Sequence, residues 1–167
     1  MSDDVRLQRF LALSAELTAF KIFELNGTGV AQDYMKTVEE IVGTATLDAM
    51  LDLHAGLPPQ GPNGLDRKGV VSRELLGHAK VGPVARNLMK LWYTGTWNRL
   101  PTAWSERYGP APRDRTFVVS PASYIEGLMW KAIGAHPAGA KGPGYGSWRH
   151  PPKIPDFEGD PAKPVAH

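Results

Sequence analysis

The stretch from Ser120 to Pro152, SPASYIEGLMWKAIGAHPAGAKGPGYGSWRHPP, limits the fold most tightly, because it joins a helix signal to a segment that cannot form an element. Ser120 can cap a helix, since its hydroxyl accepts from an orphan N–H of the first turn. Pro121 suits the first helical position, where its missing N–H costs nothing. Ile125, Leu128, Met129 and Ala132 then share one face at helical spacing, and Gly134 can take the left-handed conformation that ends a helix. From Ala135 to Pro152 there is neither a helical nor a strand period. Glycines and prolines disfavour regular structure there, yet the segment carries Tyr145 and Trp148. An arm of this kind hides its rings only by lying on something, either its own domain or a partner.

Upstream, the chain reads as helices. A first helix is expected over 3–24, with Ser2 as cap, Asp3 and Asp4 at its positive end, and a stripe of Leu7, Phe10, Leu11, Ser14 and Leu17 widened by Leu13 and Phe20. Asn26-Gly27 is a turn signal. A second helix is expected from Thr28 to Val42, with Tyr34, Val38, Ile41 and Val42 facing inward. Gly43 breaks it, and a short third helix runs from Thr46 to His54. The sequence GLPPQGPNGLDRKG at 56–69 reads as a loop. Helical signal resumes over Ser72–Lys80, and Gly82-Pro83 opens another helix holding Val84, Leu88, Leu91, Trp92 and Gly95. A helical turn follows Pro101, and only Thr116–Val119 has strand character. The expected architecture is all-α: an irregular helical domain of about five helices over 3–134, an arm over 135–152 and a solvated tail over 153–167.

Composition removes several functions. With 167 residues, one domain is the default. The formal charge of +2 arises from mixed signs with no block of like charge, which argues against nucleic acid as the main ligand. There is no cysteine, so disulfides, thiolate metal sites, attached c-type haem, cysteine-ligated iron–sulfur clusters and cysteine nucleophiles are all excluded. No run is long and apolar enough to span a membrane. The opening residues do not read as a signal peptide, because two aspartates stand where a basic region is needed.

A search for chemistry finds little. No G-x-S-x-G elbow is present, and nothing in the spacing joins Ser, His and Asp into a triad. His54, His78, His136, His150 and His167 include no helical pair and no HExxH. Asp48 and Asp52 lie four apart on one helix face. That makes a candidate carboxylate pair, although a solvated face is the plainer reading. GPGYGS at 142–147 has a phosphate loop's glycines but lacks the strand before and the helix after. No catalytic, cofactor-binding or metal-binding residue is therefore assigned.

The aromatics are what remains. Trp92, Tyr93, Trp97, Trp104, Trp130, Tyr145 and Trp148 all lie in the later two-thirds of the chain. Trp92 and Trp130 are equally consistent with a core role, whereas Tyr145 and Trp148 sit in backbone unsuited to a core. Such rings are enriched as interface anchors. The pattern Tyr124-x-x-x-Leu128-x-Trp130, His136-Pro137-x-Gly139, then Gly144-Tyr145-Gly146-x-Trp148-x-x-Pro151-Pro152 resembles the C-terminal signature of the small, or gamma, subunits of bacterial FAD-dependent sorbitol, fructose and glucose dehydrogenases. Leu91-Trp92-Tyr93-x-Gly95 and Phe10-Leu11-x-Leu13-Ser14-x-x-Leu17-Thr18 are similar to two further segments of that family. The likeness covers most of residues 8–152, with the 56–69 loop unmatched.

The resemblance implies a non-catalytic accessory subunit. In that family a GMC-type large subunit holds FAD and oxidises the sugar or polyol. A c-type cytochrome subunit often carries electrons to the membrane. The small subunit binds the flavoprotein, supports its maturation and usually carries the twin-arginine export signal, which is not seen among these residues. The resemblance implies a periplasmic location, with a cytoplasmic one as the alternative. It also implies a partner interface comprising Trp92, Tyr93, Trp130, His136, Pro137, Tyr145, Trp148, Pro151 and Pro152, no cofactor in this chain and FAD in its partner. Two other readings stand beside it: a free-standing helical binding module whose arm packs on its own domain, and a small metal- or carboxylate-dependent enzyme using the histidines or Asp48 and Asp52.

Overall fold

Helix α6, Val81–Thr94, is the axis on which the other elements pack. Its sequence places Val81, Val84, Ala85, Leu88, Leu91 and Trp92 at helical spacing, and all six are buried. The computed structural model describes residues 3–109 and 111–141. Ser2, Tyr145, Trp148, Pro151, Pro152 and the expected tail lie outside these residues. Within them the chain is mostly α-helical, with one two-stranded ladder.

In order, the elements are α1 Asp3–Thr18, α2 Ile22–Gly27, α3 Ala31–Val42, α4 Thr44–Gly56, α5 Arg67–Val70 running into a π-helical stretch Val71–Leu76, then α6. After α6 come β1 Thr96–Trp97, α7 Thr102–Tyr108, β2 Phe117–Val118, α8 Pro121–Ile125 and α9 Leu128–Ala132. Helices α1, α3, α4, α8 and α9, the π-helical stretch and β1 all touch α6. The strands pair antiparallel, Thr96 opposite Val118 and Trp97 opposite Phe117.

The expected first helix over 3–24 is two helices. Thr18 bonds its hydroxyl back to the Ser14 carbonyl at 2.7 Å, and Ala19 takes a φ of 63°, which stops α1. Phe20 remains buried, so the apolar rhythm crosses a break that it does not mark. The second helix starts at Ala31 rather than Thr28, and the third extends to Thr44 and Gly56. The 56–69 loop is shorter than expected. Asp66 caps α5 by accepting from the Gly69 N–H at 2.8 Å, so helix begins at Arg67, and it ends at Leu76 instead of Lys80.

The helix expected from Ser120 to Gly134 is also divided. Ser120 caps it as expected, accepting from the Ser123 N–H at 3.0 Å, with Pro121 in the first turn. The chain then turns at Gly127, where an added Cβ would stand 2.9 Å from the Tyr93 carbonyl oxygen. The break splits the expected apolar face: Leu128 is buried, whereas Met129 is exposed.

Gly95 locks these pieces together. It ends α6 with φ 68°, and its N–H reaches the Leu91 carbonyl at 2.8 Å. Its own carbonyl accepts from the Val119 N–H at 3.1 Å and the Ser123 hydroxyl at 3.0 Å. A Cβ here would lie 2.3 Å from the Ser123 carbonyl oxygen, which is backbone and cannot swing aside. Gly95→Ala is therefore expected to destabilise the domain by about 3 kcal/mol, adding a backbone clash to the left-handed penalty. Gly29→Ala, at φ 72° with nothing within 4 Å of the added Cβ, serves as control and costs about 1 kcal/mol. Urea unfolding of both variants checks this, and equal losses would refute the clash.

Candidate partner-binding site

Two of the aromatics expected at an interface belong to the interior of this chain. Trp92 is fully buried, with its ring edge-on to Tyr34 at 4.8 Å between centroids. It offers no surface to another protein, which corrects the expectation that it could touch a partner directly. Tyr93 is half-buried. Its hydroxyl donates to the Thr18 carbonyl at 2.9 Å, and its ring meets Phe20 edge-on at 6.1 Å. Trp97 and Trp104 are buried too, donating their indole N–H groups to Asp114 at 2.9 Å and to the Lys80 carbonyl at 2.7 Å.

Trp130 stands differently. It is half-buried on α9, edge-on to Tyr124 of α8 at 5.5 Å, and donates to the Tyr124 carbonyl at 2.8 Å. Around it the surface is apolar. Tyr124, Met129 and Ile133 are exposed, Ile133 by 54%. Helix α2 reaches this end from the other side, bringing Ile22 and Phe23, the latter 70% exposed. Lys131 ties the two sides, pairing with Glu24 of α2 and lying 5.5 Å from the Phe20 ring centre. The hydrogen bond from Lys131 holds the Glu24 carboxyl below the usual carboxylate range.

The arm leaves from this same end. Gly134 adopts φ 66°, and Pro137 is buried while His136 is exposed, with its Nδ1 3.3 Å from the Pro137 carbonyl. Lys141 pairs with Glu126 of the α8–α9 turn, so the chain is held close to α8 and α9 as far as its last described residue. Of the residues expected at an interface, Trp130 and His136 keep exposed surface at this end, whereas Pro137 is buried and offers none. Ile22 and Phe23 were not singled out, because α2 was hidden inside the expected first helix.

Of the residues considered for chemistry, Asp48, Asp52 and His54 are engaged in ion pairs. Asp48 accepts from Arg6 at 3.0 Å and Asp52 from Arg9 at 2.6 Å, so the pair braces α4 against α1. Arg6 also reaches Glu39 of α3 at 3.0 Å. His54 Nε2 lies 2.7 Å from Glu16, whose two oxygens also take Arg67 at 2.6 and 2.7 Å. Arg67 continues to the Leu57 and Pro58 carbonyls at 2.6 and 3.1 Å, stapling the 57–66 connection to α1. Among the described residues, no three His, Asp or Glu side chains gather as metal ligands, and no helix is long and apolar enough to cross a membrane. No protein-family model, curated protein or solved structure matches the chain.

Burial alone would raise the Glu16 carboxyl, but the hydrogen bonds from Arg67 and His54 outweigh it and hold the group below its ordinary value of 4.5. A depressed folded value adds stability that is full above 4.5 and is lost as pH falls through the lower folded value. Glu16→Gln is therefore expected to be less stable than the parent at pH 7, by about 1–2 kcal/mol. The gap should narrow between pH 7 and an acid pH below 4.5. Urea unfolding at both pH values checks the sign, and a gap that widens in acid would refute it.

Proposed function

We propose that this chain is a non-catalytic accessory subunit of an FAD-dependent sugar or alcohol dehydrogenase. It seats on the flavoprotein through the apolar end built by α2, α8 and α9. The observation that carries this reading is that Ile22 and Phe23 on α2, and Tyr124, Met129 and Ile133 on and after α8 and α9, are all exposed, on segments that the Lys131–Glu24 pair ties together. Large exposed apolar groups are ordinary when scattered and informative when gathered. Burying a Phe or Ile side chain contributes about 1.5–3 kcal/mol, so this end gains substantially from being covered.

Two further observations support the reading. Three residues weighed for chemistry are occupied in bracing helices: Asp48 and Asp52 are held by arginines, and His54 is held by Glu16. The arm's motifs, His136-Pro137-x-Gly139 and Gly144-Tyr145-Gly146-x-Trp148, resemble those of the small subunits of sorbitol, fructose and glucose dehydrogenases. On that likeness the large subunit holds FAD and performs the oxidation. This chain supplies a preformed surface that stabilises the flavoprotein while it loads its cofactor, and the complex operates in the periplasm. Trp130 and Tyr124 form the ridge of the seat. Tyr93, locked to Thr18 and Phe20, is its floor rather than a contact in its own right.

Co-expression with the neighbouring flavoprotein tests the proposal. The flavoprotein is expected to be soluble and FAD-loaded with this chain and to lose both without it. The double substitution Phe23→Asp and Ile133→Asp should weaken the complex by about a hundredfold, as expected when two anchors are lost. Val5→Asp, exposed near the far end of α1, should change affinity by less than about twofold. Full FAD loading without this chain, or equal affinities for the two variants, would contradict the reading.

A further inference from the structure

Charge is divided along this chain in a way that its near-neutral total conceals. Residues 3–66 hold ten acidic and four basic side chains, whereas residues 67–141 hold twelve basic and four acidic ones. The carboxylates of the first part are largely consumed internally. Glu16, Glu24, Glu39, Glu40, Asp48 and Asp52 each pair with an arginine or lysine. Cations of the second part are left over. Among the described residues, Lys80, Arg86, Lys90, Arg99, Arg107 and Arg115 make no ion pair.

Four of them, Lys80, Arg86, Arg99 and Arg107, lie on α6, the residue before it and the segments around α7, and Lys80 and Arg107 meet at one ring where α6 begins. The Lys80 carbonyl accepts from the Trp104 indole at 2.7 Å, which fixes α7 beside it. The Lys80 ammonium and the Arg107 guanidinium lie 6.0 and 5.6 Å from the centre of the same Tyr108 ring. Arg86, further along α6, hydrogen-bonds the Leu76 carbonyl. Arg99 borders a shallow depression with Ser105, Ala111, Pro112 and Asp114. The acids nearby do not neutralise this surface. Asp114 accepts from the Trp97 indole and the Leu100 N–H, Glu74 takes Arg73, and Glu106 alone remains on α7.

We propose that this surface docks a carboxylate-rich face of a second protein. Three of the four groups are arginines, whose planar forks bind carboxylates bidentately. Tyr108 holds the Arg107 and Lys80 heads in place, which lowers the cost of ordering them on binding. Two other anionic partners fit less well. Tyr108 already carries two cations and Trp104 is buried, so no ring at this end is offered for base stacking. No large exposed apolar side chain lies between residues 76 and 108 to enter a bilayer. Lys80 precedes the first residue of α6 and the apolar seat lies at its last turn, with about 21 Å of helix between them at 1.5 Å per residue. Both ends can therefore be occupied at once, and this surface acts whichever chain covers the other.

The test uses the full chain and a fluorescein-labelled glutamate oligomer as probe, read by anisotropy and by amide shift mapping. Binding should shift amides in 78–86 and 99–108 and weaken steeply as salt rises from about 50 to about 200 mM. Arg99→Glu with Arg107→Glu should lower affinity about tenfold or more. The milder Arg107→Gln, which preserves the fold should the double change disturb it, should lower affinity about threefold. Lys36→Glu, an exposed cation on α3, should have little effect. Equal losses for Lys36→Glu and Arg107→Gln would overturn the proposal, as would shifts elsewhere. Tighter binding of anionic vesicles or a short DNA duplex, with the same dependence on Arg107, would overturn it in favour of lipid or nucleic acid.

Discussion

The burial of α6 is the constraint on which the rest depends. Its apolar side chains from Val81 to Trp92 are enclosed by α1, α3 and α4 on its flanks and by α8 and α9 at its C-terminal end. Trp92 carries the largest share, since a fully buried tryptophan meets the greatest number of neighbours and its loss from a core costs about 3–5 kcal/mol. The short elements after α6 cannot be stable alone. Helices of five residues, such as α8 and α9, lie far below the length at which helices persist in water. They exist because Gly95 and Gly127 let their backbones approach α6 and because Leu128 reaches its core.

This dependence gives the molecule two unlike ends. Where α6 stops, α2, α8 and α9 leave apolar side chains outside, because elements this short present too little polar surface to cover them. Where α6 starts, Trp104 and Tyr108 bring α7 in and surround the helix with cations. Between the ends, arginines of α1 hold α3 and α4 through carboxylates, and Arg67 of α5 ties the 57–66 connection, through its carbonyls, to Glu16 of α1. The ion pairs thus brace the middle of the body. The proposed role as an accessory subunit calls for this division: a body that keeps its shape and surfaces that gain from being covered.

Much of the interior was legible in the sequence. The stripe of α1, the inward face of α3, the Gly43 break, Pro83 early in α6 and the Ser120 cap all follow from local rules, and the structure carries them. The misses have physical causes. Ala19 ends α1 in a conformation that favours glycine, supported by a Thr18 bond to the backbone that no periodicity reveals. Helix α5 begins inside a stretch rich in glycine and proline because Asp66 caps it. The α8–α9 turn answers to a close approach between Gly127 and Tyr93, residues 34 positions apart. At the proposed seat, Trp130 and the start of the arm were singled out from the sequence, whereas Phe23 and Ile133 were not. Their exposure follows from where α2 and α9 end up, and that is set by tertiary contact.

Hydrogen exchange of this chain alone and in complex with the flavoprotein tests the central claim most directly. The account predicts that binding slows exchange in residues 20–27 and 121–141 and leaves the middle of α1, α3 and α4 unchanged. Slowing confined to other faces, or none at either segment in a complex of defined stoichiometry, would contradict it.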